Sequence, residues 1–276
     1  MNEFVHHIAD IFRRMDNTDV SHYDDAFLKA SLEKRVADSG CGSAGEYAAL
    51  LERSNAERVT FMDSLQICYS EFFRNPLTYA VLERIVFPAL AVQKRKSRQK
   101  ELRIWSAACA GGQEAYSLAM LLEELNAGEG QQFRYRIFAT DHSASQVAEA
   151  SAGRYASVSL GNLSMKRRNR WFTRQGDSYS IAPELQKHIE FSVFDLFSQS
   201  LNCPPTSIFG DFDLIVCANL LFYYKYEYRM VILDKLAAAL AKNGYLATGE
   251  TEREIALRGN FQELFPQSAL FTRKAI

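Results

Sequence analysis

The sequence predicts an α/β fold, in which a doubly wound parallel sheet follows a helical N-terminal domain. Apolar runs of strand length recur through the second part of the chain, at 102–107, 135–140, 188–193, 212–217 and 245–249. Segments with helical spacing separate these runs, whereas the first part of the chain shows helical patterns and almost no strand pattern. Strands that alternate with helices are typical of parallel sheets, so the second part is expected to form one.

The first 92 residues are predicted to form the helical domain. An apolar stripe at helical spacing runs through residues 4–12. Pro76 suits the first turn of a later helix, because that position needs no backbone N–H. The polar and basic segment 93–100 contains no apolar anchor and is predicted to be a linker. The second domain is therefore expected to comprise residues 101–276.

The remaining patterns of the second domain predict shorter elements. They are a helix from Ser143 to about Gly153, a short helix at 165–172, a small β insertion near 172–190, a helix at 228–241 and an antiparallel strand at the sheet edge within 268–273. The insertion is inferred from the turn residues around Gly176, where a small hairpin or an irregular loop fits the pattern equally well.

Small residues join the first strand of the predicted sheet to the helix that follows it. Residues 108–112 (ACAGG) have no bulky side chain, so a ligand could approach the backbone there, and the helix start offers free N–H groups. The turn lacks the GxGxxG spacing of dinucleotide sites, and close packing of strand and helix without a ligand explains it about as well. The next strand ends in Asp141, whose carboxylate could accept hydrogen bonds from ribose hydroxyls. Together the two features predict a nucleoside pocket without identifying the nucleoside.

Composition excludes several classes of protein. The 276 residues include 47% apolar and 24% charged residues, and the net charge of −1 argues against strong non-specific binding to nucleic acid. Five scattered cysteines without a CxxC pair predict reduced thiols, a cytoplasmic protein and no zinc site. We find no signal-peptide pattern and no apolar run of membrane-spanning length, so no membrane insertion is expected.

Four motifs carry a resemblance to a known family. In chain order they are SEFFRNP (70–76), WSAACAGGQEAYSLAMLL (105–122), IFATDHSASQV (137–147) and FDLIVCANLLFYY (212–224). They resemble T-x-F-F-R-[DE]-P, W-S-A-G-C-S-T-G-E-E-P-Y-S-L-A-M, I-x-A-T-D-I-D and F-D-x-I-x-C-R-N-V-L-I-Y-F of the CheR family, the S-adenosylmethionine-dependent methyltransferases that esterify glutamates on bacterial chemoreceptors. GYLATGETE (244–252) is similar to a further family pattern, G-x-S-E.

The resemblance implies a Rossmann-like class I methyltransferase sheet with a helical N-terminal domain and a small antiparallel β insertion. It implies S-adenosylmethionine as cofactor, S-adenosylhomocysteine as product and an acidic helical receptor or signalling protein as partner. It also implies a role for individual residues. Ser70 and Arg74 would lie at the methyl-transfer centre, and Tyr223 near the acceptor. The cofactor would contact Ala108 at the small-residue turn, Glu114 at its amino-acid end, Asp141 at its ribose, and Asp195, Leu196, Asn219 and Leu220 along its adenosine and methionine portions.

Methyl transfer to a carboxylate needs alignment more than proton transfer. A glutamate with a pKa near 4.3 is already ionised at neutral pH, so no general base is required. The guanidinium of Arg74 could hold the acceptor carboxylate by two hydrogen bonds, which makes positioning its expected role.

Each candidate residue also has a structural explanation. Arg74 could extend its stem over the neighbouring phenylalanines, Glu114 could cap its helix, and Asp141 could close a turn. Asn219 could satisfy backbone groups after a buried strand, and Tyr223 could belong to the core.

Several positions depart from the family pattern. Cys68, Asp195 and Ala218 stand where relatives commonly have asparagine, asparagine and arginine, and Ala110 lies within a turn that usually contains Ser-Thr. The changes at Cys68 and Ala218 could alter the acceptor site while sparing the cofactor pocket. Two alternatives therefore stay open: a regulatory module that binds the cofactor without transfer, and a methyltransferase with another acceptor. Methylation of DNA is disfavoured because residues 218–220 do not form a [DNS]-P-P-[YFW] turn, and a monomer is expected.

Overall fold

The computed structural model describes residues 2–65, 70–97, 100–128 and 133–274. The chain divides into two compact units, one formed by residues 1–67 and 220–230 and the other by residues 68–219 and 231–276. Among the described residues, no helix combines the length and the apolar character that crossing a bilayer requires.

The first unit is built from four helices. They are α1 (Asn2–Asp16), α2 (Asp25–Asp38), α3 (Ala44–Arg53) and α4 (Asn55–Leu65). The rings of Phe12 and Phe61 lie 5.1 Å apart between α1 and α4, and both side chains are fully buried. Asp24 caps α2 by accepting hydrogen bonds from two of its free backbone N–H groups. The apolar stripe predicted at 4–12 thus forms the buried face of α1.

The segment 220–230 completes this unit. The backbone N–H of Asp24 donates to the carbonyl of Tyr223 at 2.7 Å, and the rings of Tyr23 and Tyr224 stack with centroids 5.2 Å apart. Lys225 forms an ion pair with Asp25 at 2.9 Å. A stretch that follows a sheet strand in the sequence therefore packs on the start of α2.

The second unit begins with a helical segment rather than a linker. It contains α5 (Pro76–Val81), a π-helical turn (Leu82–Val86) and α6 (Phe87–Lys96). Pro76 occupies the first turn of α5, as predicted. The apolar side of these helices packs into the core of the second unit. The boundary between the two units therefore lies at residues 67–68, well before the predicted end of the helical domain at residue 92.

The predicted linker 93–100 is therefore corrected in its first part. Residues up to Lys96 continue α6, and Lys94 is only 5% exposed. Its Nζ lies 2.8 Å from Oδ2 of Asp213, a buried residue far along the chain. An aspartate partner buries this basic side chain, and no local sequence pattern reveals that partner. Residues 98–99 lie outside the described residues.

The main sheet has seven strands in the order β6-β2-β1-β7-β8-β10-β9. The strands are β1 (Glu101–Ala107), β2 (Arg134–Asp141), β6 (Ile189–Val193), β7 (Phe212–Cys217), β8 (Leu240–Thr248), β9 (Phe261–Glu263) and β10 (Leu270–Arg273). The first five in sheet order are parallel, and β10 is antiparallel to both of its neighbours, β8 and β9, so β9 runs in the same direction as the first five. The α/β prediction is confirmed, and the strand predicted near 268–273 pairs between β8 and β9 instead of forming the edge.

Helices connect the parallel strands. They are α7 (Gln113–Gly128), α8 (Ala144–Ala152) and α11 (Tyr226–Ala239), with α12 (Arg253–Arg258) before β9. The helix predicted from Ser143 to Gly153 is confirmed, because Ser143 caps α8 and Gly153 ends it with a left-handed φ of 61°.

A second, three-stranded antiparallel sheet is inserted between α8 and β6. Its strands are β3 (Arg154–Ala156), β4 (Phe172–Gln175) and β5 (Ser178–Ile181), in the order β3-β5-β4, with α9 (Met165–Trp171) between β3 and β4. The insertion therefore starts earlier than the predicted 172–190, because the three residues of β3 are too few to show an alternating pattern. The end of the predicted range instead contains the short α10 (Pro183–Gln186) and the start of β6.

The register of the sheet brings four strand ends to one edge. Ala107 pairs with Thr140 across β1 and β2, and Cys217 pairs with Thr248 across β7 and β8. The direction of strand order reverses between β1 and β7, and ligands of doubly wound sheets bind at such a switch point. The carboxyl edge of β1, β2, β7 and β8 is therefore where a functional site is expected.

Candidate functional site

The turn after β1 has an unusual backbone. Ala108, Ala110 and Gly112 have φ angles of 80°, 45° and 86°, a region that residues with a Cβ adopt at a cost. The backbone N–H groups of Ala108 and Cys109 both donate to the carbonyl of Thr140 at 2.8 Å, so the turn is tied to the end of β2. These contacts hold the turn in its strained conformation.

Close packing explains the last glycine of this turn. A Cβ added to Gly112 would lie 2.9 Å from the Cβ of Ala150 in α8. The hydroxyl of Tyr155, in β3, donates to the carbonyl of Gly111 at 2.8 Å. The inserted sheet thus helps to hold the turn.

Asp141 lies beside the turn and holds it with both carboxylate oxygens. Its Oδ2 accepts from the N–H of Ala110 at 2.9 Å, and its Oδ1 accepts from the N–H of Ser143 at 3.0 Å. Burial alone would raise the pKa of Asp141, but hydrogen bonds from His142, Ser143 and Ala110 lower it below the ordinary value. The carboxylate is therefore ionised at neutral pH. Because Ala110 contributes only its backbone N–H, loss of the family's side chain there leaves this contact intact.

His142 lies beside Asp141, and sequence reasoning assigned it no role. Its Nδ1 lies 3.4 Å from Oδ1 of Asp141, and the hydrogen bond to Asp141 raises the pKa of the imidazole. The available signal was its position directly after the strand-end aspartate.

Glu114, in the first turn of α7, points into the same edge of the sheet. Its Oε1 accepts a hydrogen bond from the hydroxyl of Ser106 at 2.5 Å. The pKa of Glu114 is raised to about 7, chiefly by burial and also by the charge of Glu252, although the hydrogen bond from Ser106 and the charge of Arg74 act in the opposite direction. An acid with this pKa is poised to lose its proton when a cation arrives.

Arg74 follows a strained position in the polypeptide. Phe73 has a φ of 53°, and its N–H donates to the hydroxyl of Ser117 in α7 at 3.1 Å. Phe72 is fully buried, with its ring 5.0 Å from that of Tyr155. This anchoring holds the half-buried Arg74 where its charge lowers the pKa of Glu114. Ser70 is also half-buried, four residues earlier.

Asn219, directly after β7, has a left-handed backbone with a φ of 62°. Its N–H donates to Oε2 of Glu252 at 2.7 Å, and the N–H of Gly249, after β8, donates to the same oxygen at 2.8 Å. Glu252 is fully buried. Sequence reasoning assigned it no role, although the match of GETE to the family's G-x-S-E was the signal that could have found it.

The segment after β6 reaches the site through Asp141. The N–H of Phe194 donates to the carbonyl of Asp141 at 2.9 Å, and the next residues are the exposed Asp195 and the buried Leu196. Oδ1 of Asp195 accepts from the N–H of Phe197 at 2.8 Å. An asparagine oxygen could accept the same bond, so the departure at Asp195 keeps the local turn.

The structure thus brings together, in one unit, Arg74, Ala108, Glu114, Asp141 and Asn219, with Ser70, Asp195 and Leu196 on adjoining segments. Leu220 and Tyr223 belong to the other unit. There Leu220 is buried, and the ring of Tyr223 packs edge-on against Phe27 with centroids 4.8 Å apart. Ala218 packs against the core of the sheet unit, and Cys68 lies outside the described residues.

Comparison with known proteins gives a consistent family assignment. Residues 69–269 match the family model described as "CheR methyltransferase, SAM binding domain". The chain is 31% identical over 243 residues to a chemotaxis protein methyltransferase of Listeria monocytogenes, covering 88% of this chain and 87% of that protein. It is 30% identical over 240 residues to chemotaxis protein methyltransferase 1 of Pseudomonas aeruginosa, covering 85% and 84%.

A longer relative shares the same region. An uncharacterized 104.1 kDa protein of Rhodobacter capsulatus is 29% identical over 263 residues, which is 95% of this chain and 27% of that protein. The family model covers most of the chain, including the turn after β1, Asp141 and Asn219. The chain therefore belongs to the CheR family of S-adenosylmethionine-dependent methyltransferases.

Proposed function

We propose that this enzyme transfers the methyl group of S-adenosylmethionine to a glutamate side chain of a chemoreceptor or a related signalling protein, forming a methyl ester. Two relatives at about 30% identity are chemotaxis protein methyltransferases, which supports this acceptor class. The observation that carries the proposal is the position of Arg74. Arg74 follows the strained Phe73, and its charge acts on the carboxylate of Glu114, the residue proposed for the amino-acid end of the cofactor.

The residues at the carboxyl edge of the sheet fit this cofactor. The turn that begins at Ala108 has only small side chains, so a ligand could approach its backbone. Asp141 accepts two backbone hydrogen bonds and keeps lone-pair capacity for a ribose hydroxyl. Glu114 is buried near a second carboxylate, that of Glu252, and such a pair favours a positive group. An ammonium and a sulfonium are both positive, so the charge of the site complements the cofactor.

Each site residue then has a role in the proposal. Glu114 binds the ammonium of the cofactor's amino-acid end, and Asp141 binds the ribose. Asn219 contacts the methionine portion from the loop after β7. Asp195, Leu196 and Leu220 line the adenosine, and Ser70 lies at the methyl-transfer centre with Arg74.

Reaction at a carboxylate places few demands on acid–base chemistry. The cofactor supplies an electrophilic methyl group. The acceptor glutamate is ionised at neutral pH, so the chain needs no base to remove a proton from it. Arg74 holds the acceptor by two parallel hydrogen bonds, and the gain comes from alignment, which can contribute on the order of 7–11 kcal/mol. Tyr223 offers an aromatic face beside the acceptor chain.

The partner we propose is an acidic helical segment of the receptor, and the methyltransferase acts on it as a monomer in the cytoplasm. Helix α2 carries Lys29 and Lys34, which suit an acidic partner, whereas Arg35 pairs with Glu57 within its own unit. Ala218 replaces the family's arginine, and this departure is the reason to test a different acceptor alongside the chemoreceptor.

The test is transfer of radiolabelled methyl groups from S-adenosylmethionine to receptor-containing bacterial membranes, with mild base treatment of the product. We expect label that base releases as methanol, which marks a carboxyl ester. Arg74→Ala should reduce turnover by roughly a hundredfold or more while cofactor affinity changes less, and Arg74→Lys should recover part of the turnover. Tight cofactor binding without transfer to the membranes, or label that base does not release, would overturn the proposal.

A further inference from the structure

One buried carboxylate oxygen joins the loops after two neighbouring strands. Oε2 of Glu252 accepts from the N–H of Asn219 at 2.7 Å and from the N–H of Gly249 at 2.8 Å. Asn219 adopts a left-handed backbone, which is a minority conformation even for asparagine. A charge-assisted hydrogen bond to its N–H stabilises that conformation.

Steric contacts leave this arrangement little freedom. A Cβ added to Gly249 would lie 2.6 Å from Nδ2 of Asn219 and 2.8 Å from Oε2 of Glu252. The turn after β8, the loop after β7 and the Glu252 side chain are therefore packed to contact. A displacement of Glu252 would be transmitted directly to Asn219.

Glu252 also acts on Glu114 through its charge. The groups that face Glu114 come from every element packed around it: Ser106 on β1, Cys109 in the following turn, Arg74 before α5, Tyr79 on α5, Cys217 on β7 and Glu252 after β8. Among the residues that shift its pKa, Arg74 and Ser106 favour the ionised form, and Glu252 opposes it.

We infer that Glu252 is a positioning residue for cofactor binding: its Oε2 holds the N–H groups of Asn219 and Gly249 and so fixes Asn219, and its carboxylate adds negative charge to the site where Glu114 receives the cofactor ammonium. The inference rests on the roles proposed above for Asn219 and Glu114. Glu252 itself is held by backbone N–H groups and acts through other residues.

The two effects of Glu252 differ in their dependence on pH. Below about pH 7 Glu114 is largely protonated, and binding an ammonium there requires loss of that proton. Affinity for S-adenosylhomocysteine should therefore rise with pH and level off above about pH 7. The positional effect on Asn219 has no such dependence and acts at every pH.

Two substitutions separate these effects. In Glu252→Gln the amide oxygen can take the place of Oε2 and accept both backbone bonds, so the charge is removed while these two bonds are kept. In Glu252→Ala both bonds and the charge are removed, and two buried N–H groups lose their partner. Glu250→Gln is the matched control, because Glu250 lies in the same turn and is exposed.

Calorimetry with S-adenosylhomocysteine, from about pH 5.5 to about pH 8, measures the outcome. Removing the charge of Glu252 lets Glu114 ionise at a lower pH, but it also removes an attraction for the cofactor ammonium. We therefore expect Glu252→Gln to bind like wild type at the acidic end, where the two effects oppose each other. Its affinity should level off at a lower pH and stay below that of wild type at the alkaline end. Glu252→Ala should bind roughly ten- to a hundredfold more weakly at every pH. Glu250→Gln should follow wild type throughout.

A second readout does not use the cofactor. Carbon-13 NMR of the Glu114 carboxyl in the unligated protein should show its titration moving to a lower pH in Glu252→Gln and staying in place in Glu250→Gln. This arm decides the inference if Glu252→Ala does not fold. An unchanged titration in Glu252→Gln, or wild-type affinity in a folded Glu252→Ala protein, would overturn it.

Failure of the site assignment gives a different result. If Glu114→Gln leaves the affinity for S-adenosylhomocysteine unchanged, the proposed cofactor role of Glu114 is wrong. The NMR titration would still report whether Glu252 controls Glu114. The two conclusions can therefore be overturned separately.

Discussion

The two ends of the parallel sheet both bury charged side chains, but they balance them differently. At the amino end, Asp213 is surrounded by Lys94 and Arg103, and at the carboxyl end Glu114 lies near a second carboxylate, that of Glu252. The first cluster contains its own counter-charges. In the second, the charge of Arg74 acts on Glu114 against that of Glu252, and we propose that the two acids face a cationic ligand. A buried cluster whose charges are neutralised by other residues of the protein indicates a structural role. A buried cluster with an excess of negative charge indicates a binding site for a positive ligand.

Contacts at the amino end show how the balance is reached. Oδ2 of Asp213 accepts from the N–H of Arg103 at 2.9 Å and lies 2.8 Å from Nζ of Lys94. The guanidinium of Arg103 donates to the carbonyl of Phe209 at 2.9 Å and lies 4.4 Å from the centre of that ring. Burial raises the pKa of Asp213 and lowers that of Arg103. Desolvation is thus opposed by partners from the same chain.

The largest expected effect comes from breaking the balanced cluster. Asp213→Ala leaves Lys94 buried without its carboxylate partner and removes the acceptor of the Arg103 backbone N–H, which should lower the free energy of unfolding by about 3–5 kcal/mol. Urea denaturation measures this change. Asp177→Asn, at an exposed turn, is the control and should change stability by less than about 0.5 kcal/mol. A loss for Asp213→Ala as small as that of the control would contradict the structural role of the cluster.

The unbalanced end should reveal itself in the pH dependence of stability. The folded-state pKa of Glu114 is about 7, above the ordinary 4.5, so the folded state retains this proton longer than the unfolded chain does. Stability of the unligated protein should therefore fall as pH rises from about 4.5 to about 7, by up to about 3 kcal/mol from this group. Urea titrations at both ends of this range measure it, and Glu114→Gln should remove that part of the slope. An identical slope in the variant would show that Glu114 does not titrate in this range.

Asp141 should affect binding more than folding. Asp141→Ala removes the ribose contact and the bond that holds the N–H of Ala110, and we expect affinity for S-adenosylhomocysteine to fall roughly a hundredfold. Calorimetry measures the affinity, and Asp141→Asn should retain part of it because one oxygen remains. Asp213→Asn, at the other end of the sheet, should bind normally wherever it is folded. Equal affinity in Asp141→Ala and wild type would remove Asp141 from the cofactor site.

The smallest effect concerns backbone strain at the carboxyl end. Ala108 has a φ of 80°, so Ala108→Gly should relieve strain and raise stability by about 0.5–1 kcal/mol, even though glycine has more freedom in the unfolded chain. Thermal unfolding measures it. Ala148→Gly, at an exposed site within α8, should instead lower stability by about 0.5–1 kcal/mol. Destabilisation of equal size in both variants would mean that Ala108 is not strained.

Local patterns predicted the parallel strands well, because a buried strand appears as a continuous apolar run wherever it occurs. The same holds for Ser143 and Gly153, whose capping roles are local. Long-range partners explain what was missed. Lys94 looks like part of a basic linker until Asp213 is known to face it, and Glu252 looks like one acid in an acidic turn until the loop of Asn219 is placed beside it.

Site residues followed the same rule. Asp141 could be predicted because a carboxylate after the second strand has one position in this type of sheet. Its neighbour His142 could not, since only the folded chain shows Nδ1 next to the carboxylate. The early start of the inserted sheet at Arg154 was missed because β3 acquires its identity only by pairing with β5.

The ion pair between α6 and β7 determines where the chain can be shortened. A fragment that starts at residue 101 would carry Asp213 without Lys94 and would leave empty the space that Phe72 fills between Tyr155 and Phe172. A fragment that starts near Ser70 keeps both. A fragment expressed to obtain the second unit alone should therefore include α5 and α6, because they pack against the sheet and supply Lys94.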